Sequence, residues 1–164
     1  YPLPEAQVDR FMLKVNIGHP EREEEREIIR RSISGQTAQK LQPIIQPEEI
    51  IRARKSVKKV YMDEKIENYI LDIVFATRTP ALFRLNDLTP LLAYGASPRA
   101  SINLAIASRA YAFMQRRGYV IPDDIRNVAK DVLRHRIGLT YEAEAENVTQ
   151  EEIITRIINT IPVP

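Results

Sequence analysis

The chain has 164 residues, 44% apolar and 28% charged, a balance typical of a soluble globular protein and not of a disordered one. Its 24 basic and 22 acidic side chains leave a net charge of +2, so electrostatics favours neither a nucleic acid nor an anionic membrane as partner. The absence of cysteine excludes disulfide bonds and leads us to expect a cytoplasmic protein, and stretches such as YILDIVFA are too short for membrane insertion.

The first predicted element is a short strand at residues 11–17, within RFMLKVNIGHP, which Gly18 ends. The pattern shows no partner strand nearby. Because the chain also starts at Tyr1, without Met, we expect a piece of a longer protein. Such an unpaired edge could pair with a second copy.

Three helices are predicted next. PEREEEREIIRRSI carries glutamates early and arginines late, which complements the helix dipole and is typical of a solvated helix. PEEIIRARKSV begins a second helix at Pro47. Asp63 caps the third, whose apolar residues recur at helical spacing and so predict a core-facing side: Ile66, Tyr69, Ile70, Ile73 and Val74.

The second half of the chain predicts three more helices. Pro80 and Pro90 mark a long connection with a helical turn near residues 88–92. The next helix, residues 97–117, is apolar on most faces, so we expect it to be central, largely buried and capped by Gly118. The last two begin at Pro122 and at a Thr149/Glu152 capping box, and their predicted inner residues are Ile125, Val128, Ala129, Val132 and Leu133, then Ile153, Ile154, Ile157, Ile158 and Ile161.

The predicted fold class is mainly α, an irregular bundle of about five or six helices with a short N-terminal strand. Sequence motifs for self-sufficient catalysis are absent: there is no G-x-x-x-x-G-K-[ST] phosphate loop, no G-x-G-x-x-G turn and no nucleophile elbow. His19 and His135 lack the spacing of zinc ligands, so no metal site is predicted. His135 and Arg136 suggest only the cations that favour a helix C-terminus.

The helix start YGASPRA raises a question about Arg99. With Ser97 as N-cap and proline at the first helical position, Arg99 lies in the first turn, where the helix dipole disfavours a cation by about 0.3–1 kcal/mol. A phosphate held by the first-turn amides and the guanidinium would offset that cost. The alternatives are an exposed arginine whose stem packs on a neighbour, or a partner carboxylate such as Asp87.

Arg10 is a second candidate, placed after a proline-rounded turn in YPLPEAQVDRFML. An arginine before a strand is unremarkable, and the adjacent Asp9 could neutralise it. The residues by themselves therefore assign Arg10 no function.

A family resemblance joins these stretches. In this order, the following segments resemble the C-terminal part of AAA+ ATPases of the MoxR family: YPLPEAQVDRF, ILDIVFATR, YGASPRASINLA, RGYVIPDDIRNVAKDVLRHRI and IINTIPVP. The resemblance covers nearly the whole chain and preserves motif order, so it is more specific than any single motif. It implies that residues 1–18 end a nucleotide-binding core and that residues 19–164 form its helical lid.

The resemblance also implies roles for both arginines. Arg10, within DRF, matches the arginine finger, which reaches the nucleotide of the adjacent subunit. Arg99, within SPRA, matches the sensor-2 arginine, which touches ATP phosphate within its own subunit. Positioned guanidinium groups stabilise the charge of a transferring phosphoryl group, so the chemistry fits.

The implied function is that of an ATPase, using ATP and Mg²⁺, that remodels or activates other proteins. The family further implies a ring, a hexamer, and partners with von Willebrand factor A domains. Because the Walker A, Walker B and sensor-1 elements would lie upstream of Tyr1, we expect these 164 residues alone to be inactive and to hold no cofactor.

Two other functions remain open at this point. One is a free-standing helical protein-interaction module that binds a peptide in a groove between helices. The other is DNA binding through RRGYVIPDDIRNVAKDVLRHRI, which has the rough form of a helix pair. Asp123, Asp124 and Asp131 interrupt its basic residues, so we expect no nucleic-acid partner.

Overall fold

A computed structural model of the protein describes residues 3–34 and 42–164, and in these ranges the chain is mainly helical, as predicted. The helices are α1 (Glu5–Val8), α2 (Arg22–Ile33), α3 (Pro47–Val57), α4 (Glu64–Arg78), α5 (Pro98–Met114), α6 (Pro122–Leu133), α7 (Tyr141–Ala145) and α8 (Gln150–Thr160). Two 3₁₀ turns, Pro80–Phe83 and Asn86–Leu91, fill the proline-rich connection, and β1 (Leu92–Tyr94) and β2 (Gly138–Leu139) form a small sheet. None of the helices in the described ranges is long and apolar enough to cross a membrane.

The core lies between α4, α5, α6 and α8. Asp63 caps α4 by accepting a hydrogen bond from the Lys65 amide at 2.9 Å, and all five apolar positions predicted for α4 are buried. In α8, Thr149 and Glu152 form the predicted capping box, and its predicted inner isoleucines are buried. α6 buries four of its five predicted residues and leaves Val128 partly exposed. By contrast, α2 and α3 contain no buried residue, which confirms the solvated helix expected within PEREEEREIIRRSI.

Two predictions about α5 were wrong in part. The helix buries one face, with Leu104 fully covered, but leaves Ile102 57% exposed and Ile106 43% exposed. It ends at Met114, and the left-handed residue after it is Arg116 (φ 59°), not Gly118. The reason is a Schellman motif, in which the amides of Arg116 and Arg117 donate to carbonyls in the last turn of α5, each at 2.9 Å.

The predicted strand at residues 11–17 is not formed. A strand needs a neighbouring strand for its backbone hydrogen bonds, and in the part of the chain described here this segment lies beside the end of α6. There the Lys14 amide donates to the Asp131 carbonyl at 2.8 Å, and the Arg134 guanidinium donates to the Lys14 carbonyl at 2.5 Å. Apolar side chains of the segment remain exposed, among them Phe11, Leu13, Val15 and Ile17.

The small sheet was not predicted, because strands of three and two residues are too short for a recognisable period. β1 and β2 are antiparallel, with Leu92 opposite Leu139 and Tyr94 opposite Gly138. β1 leads into α5 and β2 follows α6. The pairing therefore brings the start of α5 and the end of α6 together.

Candidate functional site

The start of α5 is fixed by the end of α4. A Cβ on Gly95 would lie 2.4 Å from the Thr77 carbonyl oxygen, so only glycine permits this approach. The Ala96 amide donates to the Thr77 hydroxyl at 3.0 Å, and Nε of Arg78 donates to the Ala96 carbonyl at 2.6 Å. The segments ILDIVFATR and YGASPRA thus contact each other and hold the first turn of α5 in place.

Arg99 lies in this first turn and pairs with a carboxylate. The Ser97 hydroxyl caps the helix by accepting from the Arg99 amide at 3.2 Å, as predicted. Nη1 of Arg99 donates to Oδ2 of Asp9 at 2.9 Å, while the side chain stays 53% exposed. The carboxylate is not Asp87, the example predicted from the sequence, which pairs with Arg156. In the described structure Nε and Nη2 of Arg99 have no acceptor.

Asp9 is the centre of this cluster. Its oxygens accept from the Ser97 hydroxyl at 2.9 and 3.0 Å, from Arg99, and from Nε of Arg136 at 3.2 Å. Partial burial opposes ionisation, but the hydrogen bonds from Arg99 and Ser97 and the charge of Arg136 outweigh it, so the pKa of Asp9 lies below its usual value. Asp9 is therefore a carboxylate at neutral pH.

Arg136 is the residue that sequence reasoning missed. Its side chain is fully buried, and its guanidinium donates hydrogen bonds at all five N–H positions. Nε donates to the Asp9 carboxylate, Nη2 to the carbonyls of Asp9 (3.0 Å) and Phe11, and Nη1 to the carbonyls of Met12 (3.2 Å) and Val132. In the sequence, an arginine just after a helix looks the same whether it forms this buried network or only interacts with the helix dipole.

Arg10 lies between the residues that Arg136 holds. Its amide donates to the Gln7 carbonyl at 3.2 Å, which closes the turn after α1. Its side chain is exposed, and no residue of the described ranges accepts a hydrogen bond from its guanidinium. Asp9 pairs with Arg99 and Arg136 and thus does not neutralise Arg10.

A pocket of about 280 Å³ opens beside the cluster, lined by residues that include Glu5, Tyr94, Ser97 and His135. Nε2 of His135 lies 3.0 Å from the Phe11 carbonyl, and its buried Nδ1 has no partner in the described structure. Burial, together with nearby positive charges, lowers the pKa of His135 despite that hydrogen bond. The imidazole is therefore neutral at pH 7, with Nε2 as donor.

The chain is similar to a known domain family, to known proteins and to a solved structure. Residues 87–157 match the sequence profile of the AAA lid domain. Over its full length the chain is 42% identical to the chaperone MoxR1 of Mycobacterium tuberculosis and 38% identical to the uncharacterized protein YeaC of Bacillus subtilis, covering 43% and 48% of those proteins. The crystal structure of a presumed ATPase from Cytophaga hutchinsonii matches with a TM-score of 0.93 and 43% identity, over 100% of this chain and 50% of that one. The chain thus spans about half the length of these relatives.

Proposed function

Since the chain belongs to the MoxR family of AAA+ ATPases and carries an AAA lid domain, we propose that it forms the C-terminal part of an ATP-hydrolysing, chaperone-like protein. Residues 1–18 complete the nucleotide-binding core, and residues 19–164 form the lid that closes over ATP. Phe11, Leu13, Val15 and Ile17 support this division, because these side chains stay exposed and suit burial against a sheet.

The proposal rests chiefly on the exposure and the hydrogen bonding of the Arg99 guanidinium. Its guanidinium is half exposed at the N-terminus of α5, and among the described residues only Asp9 accepts a hydrogen bond from it, at Nη1. An ATP phosphate offers the same oxygen chemistry as the Asp9 carboxylate and would also meet the positive end of the helix dipole. The first-turn amides expected to join it are already used, because those of Arg99 and Ala100 donate to Ser97. Arg99 therefore suits a phosphate contact within its own subunit.

Arg10 suits a contact with a neighbouring subunit. Its guanidinium faces solvent and has no acceptor in the described ranges, as expected of an arginine finger that completes the active site next to it. This role requires a ring, which we propose to be a hexamer in the cytoplasm. Partner proteins with von Willebrand factor A domains would be its clients.

ATP and Mg²⁺ would be held chiefly by the phosphate loop and Walker B residues of the core, none of which is in this sequence. When bound, the nucleotide supplies the phosphoryl group. The contribution of this chain is to place Arg99 and Arg10 and to exclude water as the lid closes. The 164 residues alone should therefore show no ATP hydrolysis.

The test is Arg99→Ala in the full-length ATPase. We expect ATP turnover to fall roughly tenfold or more, because a donor to the phosphate is lost, while the melting temperature stays near that of the wild type. Arg54→Ala on the exposed face of α3 is the matched control and should change neither value. Unchanged kinetics of the Arg99 variant would refute the phosphate contact.

A further inference from the structure

Three of the five hydrogen bonds of Arg136 go to backbone carbonyls around Arg10. Nη2 holds the carbonyls of Asp9 and Phe11, on either side of Arg10, and Nη1 holds that of Met12. The remaining Nη1 bond, to the Val132 carbonyl, ties this turn to the last turn of α6. Arg136 therefore connects a rigid helix of the bundle to the loop that carries Arg10.

In the described structure no other side chain makes as many hydrogen bonds to the backbone of that loop: Ser97 and Arg99 bind only the Asp9 carboxylate, and His135 contacts only the Phe11 carbonyl. α1 is a single turn without buried residues, and residues 11–20 form neither helix nor strand. The exposed guanidinium of Arg10 makes no hydrogen bond or ion pair within the described ranges. The backbone between Asp9 and Met12 therefore sets the position from which the Arg10 side chain extends, and Arg136 donates to three carbonyls of that backbone.

Stability alone is a poor explanation for this arrangement. Burying a guanidinium carries a large desolvation penalty, and apolar side chains of similar volume often stabilise a protein as well or better. An arginine, however, presents five donors in a rigid planar fork, which suits it to hold several carbonyls in one fixed geometry. The arrangement therefore suits a need to place the backbone around Arg10 precisely.

We propose that Arg136 is a positioning residue for catalysis in trans: it fixes the backbone of residues 9–12 so that Arg10 reaches the nucleotide of the adjacent subunit. This inference rests on the proposed role of Arg10 as an arginine finger. The side chain of Arg136 is itself fully buried. Its effect passes through the position of Arg10.

The test compares Arg136→Lys, Arg10→Ala and the double variant in the full-length ATPase. Lysine keeps the charge opposite Asp9 but loses the fork, so the loop is free to shift, and a misplacement of about 1 Å costs on the order of a hundredfold in rate. We expect Arg136→Lys to lower kcat about tenfold to a hundredfold with little change in the KM for ATP. The double variant should be no slower than Arg10→Ala, because both changes remove the same contribution.

Mixed rings give a readout that a purely structural defect would not produce. Subunits with an inactivated phosphate loop still present an intact Arg10 to their neighbours. Mixing them with Arg136→Lys subunits should restore turnover, as it should with Arg10→Ala subunits. Damage to the nucleotide site of the Arg136→Lys subunit itself would not be rescued in this way.

Arg134→Lys is the matched control, because Arg134 also ties α6 to the N-terminal segment but holds the Lys14 carbonyl, beyond the Arg10 turn. It should retain near wild-type turnover. If Arg136→Lys has a lower melting temperature than the wild type, the same comparison is made with Arg136→Gln, which places no ammonium group in the buried site.

The two proposals fail in different ways. Full activity of Arg10→Ala overturns the finger role and this inference with it. If Arg10→Ala is inactive, three results each overturn the role of Arg136 and leave the finger intact: wild-type turnover of Arg136→Lys, losses that multiply in the double variant, or no rescue in mixed rings.

Discussion

At the scale of single residues, one carboxylate organises the site. Asp9 accepts hydrogen bonds from Ser97, Arg99 and Arg136, which belong to two helix ends that are distant in sequence. Its ion pair with Arg99 is half exposed, whereas its other partner, Arg136, is buried. Solvent therefore reaches the pair with Arg99, whereas the Arg136 side of the cluster is shielded from it.

Asp9 should make the stability of this chain depend on pH. Its pKa is below the ordinary 3.8, so its contribution to stability is full above that pH and is lost as the pH falls through the folded-state pKa. Asp9→Asn should lower the free energy of unfolding by about 1–3 kcal/mol at neutral pH, with the difference shrinking below about pH 4.

Urea denaturation of the two proteins at pH 7 and pH 3 measures this change. Asp87→Asn, which removes an exposed pair with Arg156, is the control and should cost at most about 1 kcal/mol. Equal stability of Asp9→Asn and the wild type at neutral pH would contradict the stabilising role of Asp9.

At the scale of elements, caps and charge patterns act through adjacent residues. Asp63, Ser97 and Thr149 each cap the helix predicted for them. At the start of α8 the Glu152 amide donates to the Thr149 hydroxyl at 3.2 Å, and the Thr149 amide donates to Glu152 at 2.7 Å. The cap matters for the core because α8 buries four isoleucines.

Thr149→Ala should destabilise the chain by about 1 kcal/mol, since the first turn of α8 loses its side-chain acceptor. Thr160→Ala, at the other end of the same helix, removes a threonine that caps no N-terminus and should stay within about 0.5 kcal/mol of the wild type. Thermal denaturation distinguishes the two variants. A loss from Thr160→Ala as large as that from Thr149→Ala would show that the cap is not the cause.

At the scale of the whole molecule, the core between α4, α5, α6 and α8 is the platform for the site. The start of α5 and the end of α6 project from it, joined by the small sheet, and the N-terminal segment is held against them. Ile73 in α4 and Ile157 in α8 are fully buried in this core. The α2 and α3 helices contribute no buried side chain.

Ile73→Ala should therefore cost about 2–5 kcal/mol, from lost burial and the cavity that remains. Ile102→Ala on the exposed face of α5 is the matched control and should cost less than about 1 kcal/mol. The free energy of unfolding in urea gives both values. Similar losses would mean that the exposed face of α5 is covered in solution.

The sequence by itself determined the six longer helices, three of their N-terminal caps, most of the inner faces and the family resemblance, but not the short α1 and α7. These features depend on residues three or four positions apart or on motifs kept in order, so they are readable along the chain. The same reasoning placed Ser97 and Arg99 in the first turn of α5, as the structure does. The roles of Arg10 and Arg99 stay predictions.

Only the tertiary structure decided which charges meet. The sequence offered Asp9 as a partner for Arg10 and Asp87 as one for Arg99, but the fold pairs Asp9 with Arg99 and Arg136. It also buried Arg136, and it left residues 11–17 without the predicted strand. The physical reason is that ion pairs and strand pairing join distant segments, and their partners are set by how α5, α6 and the small sheet pack.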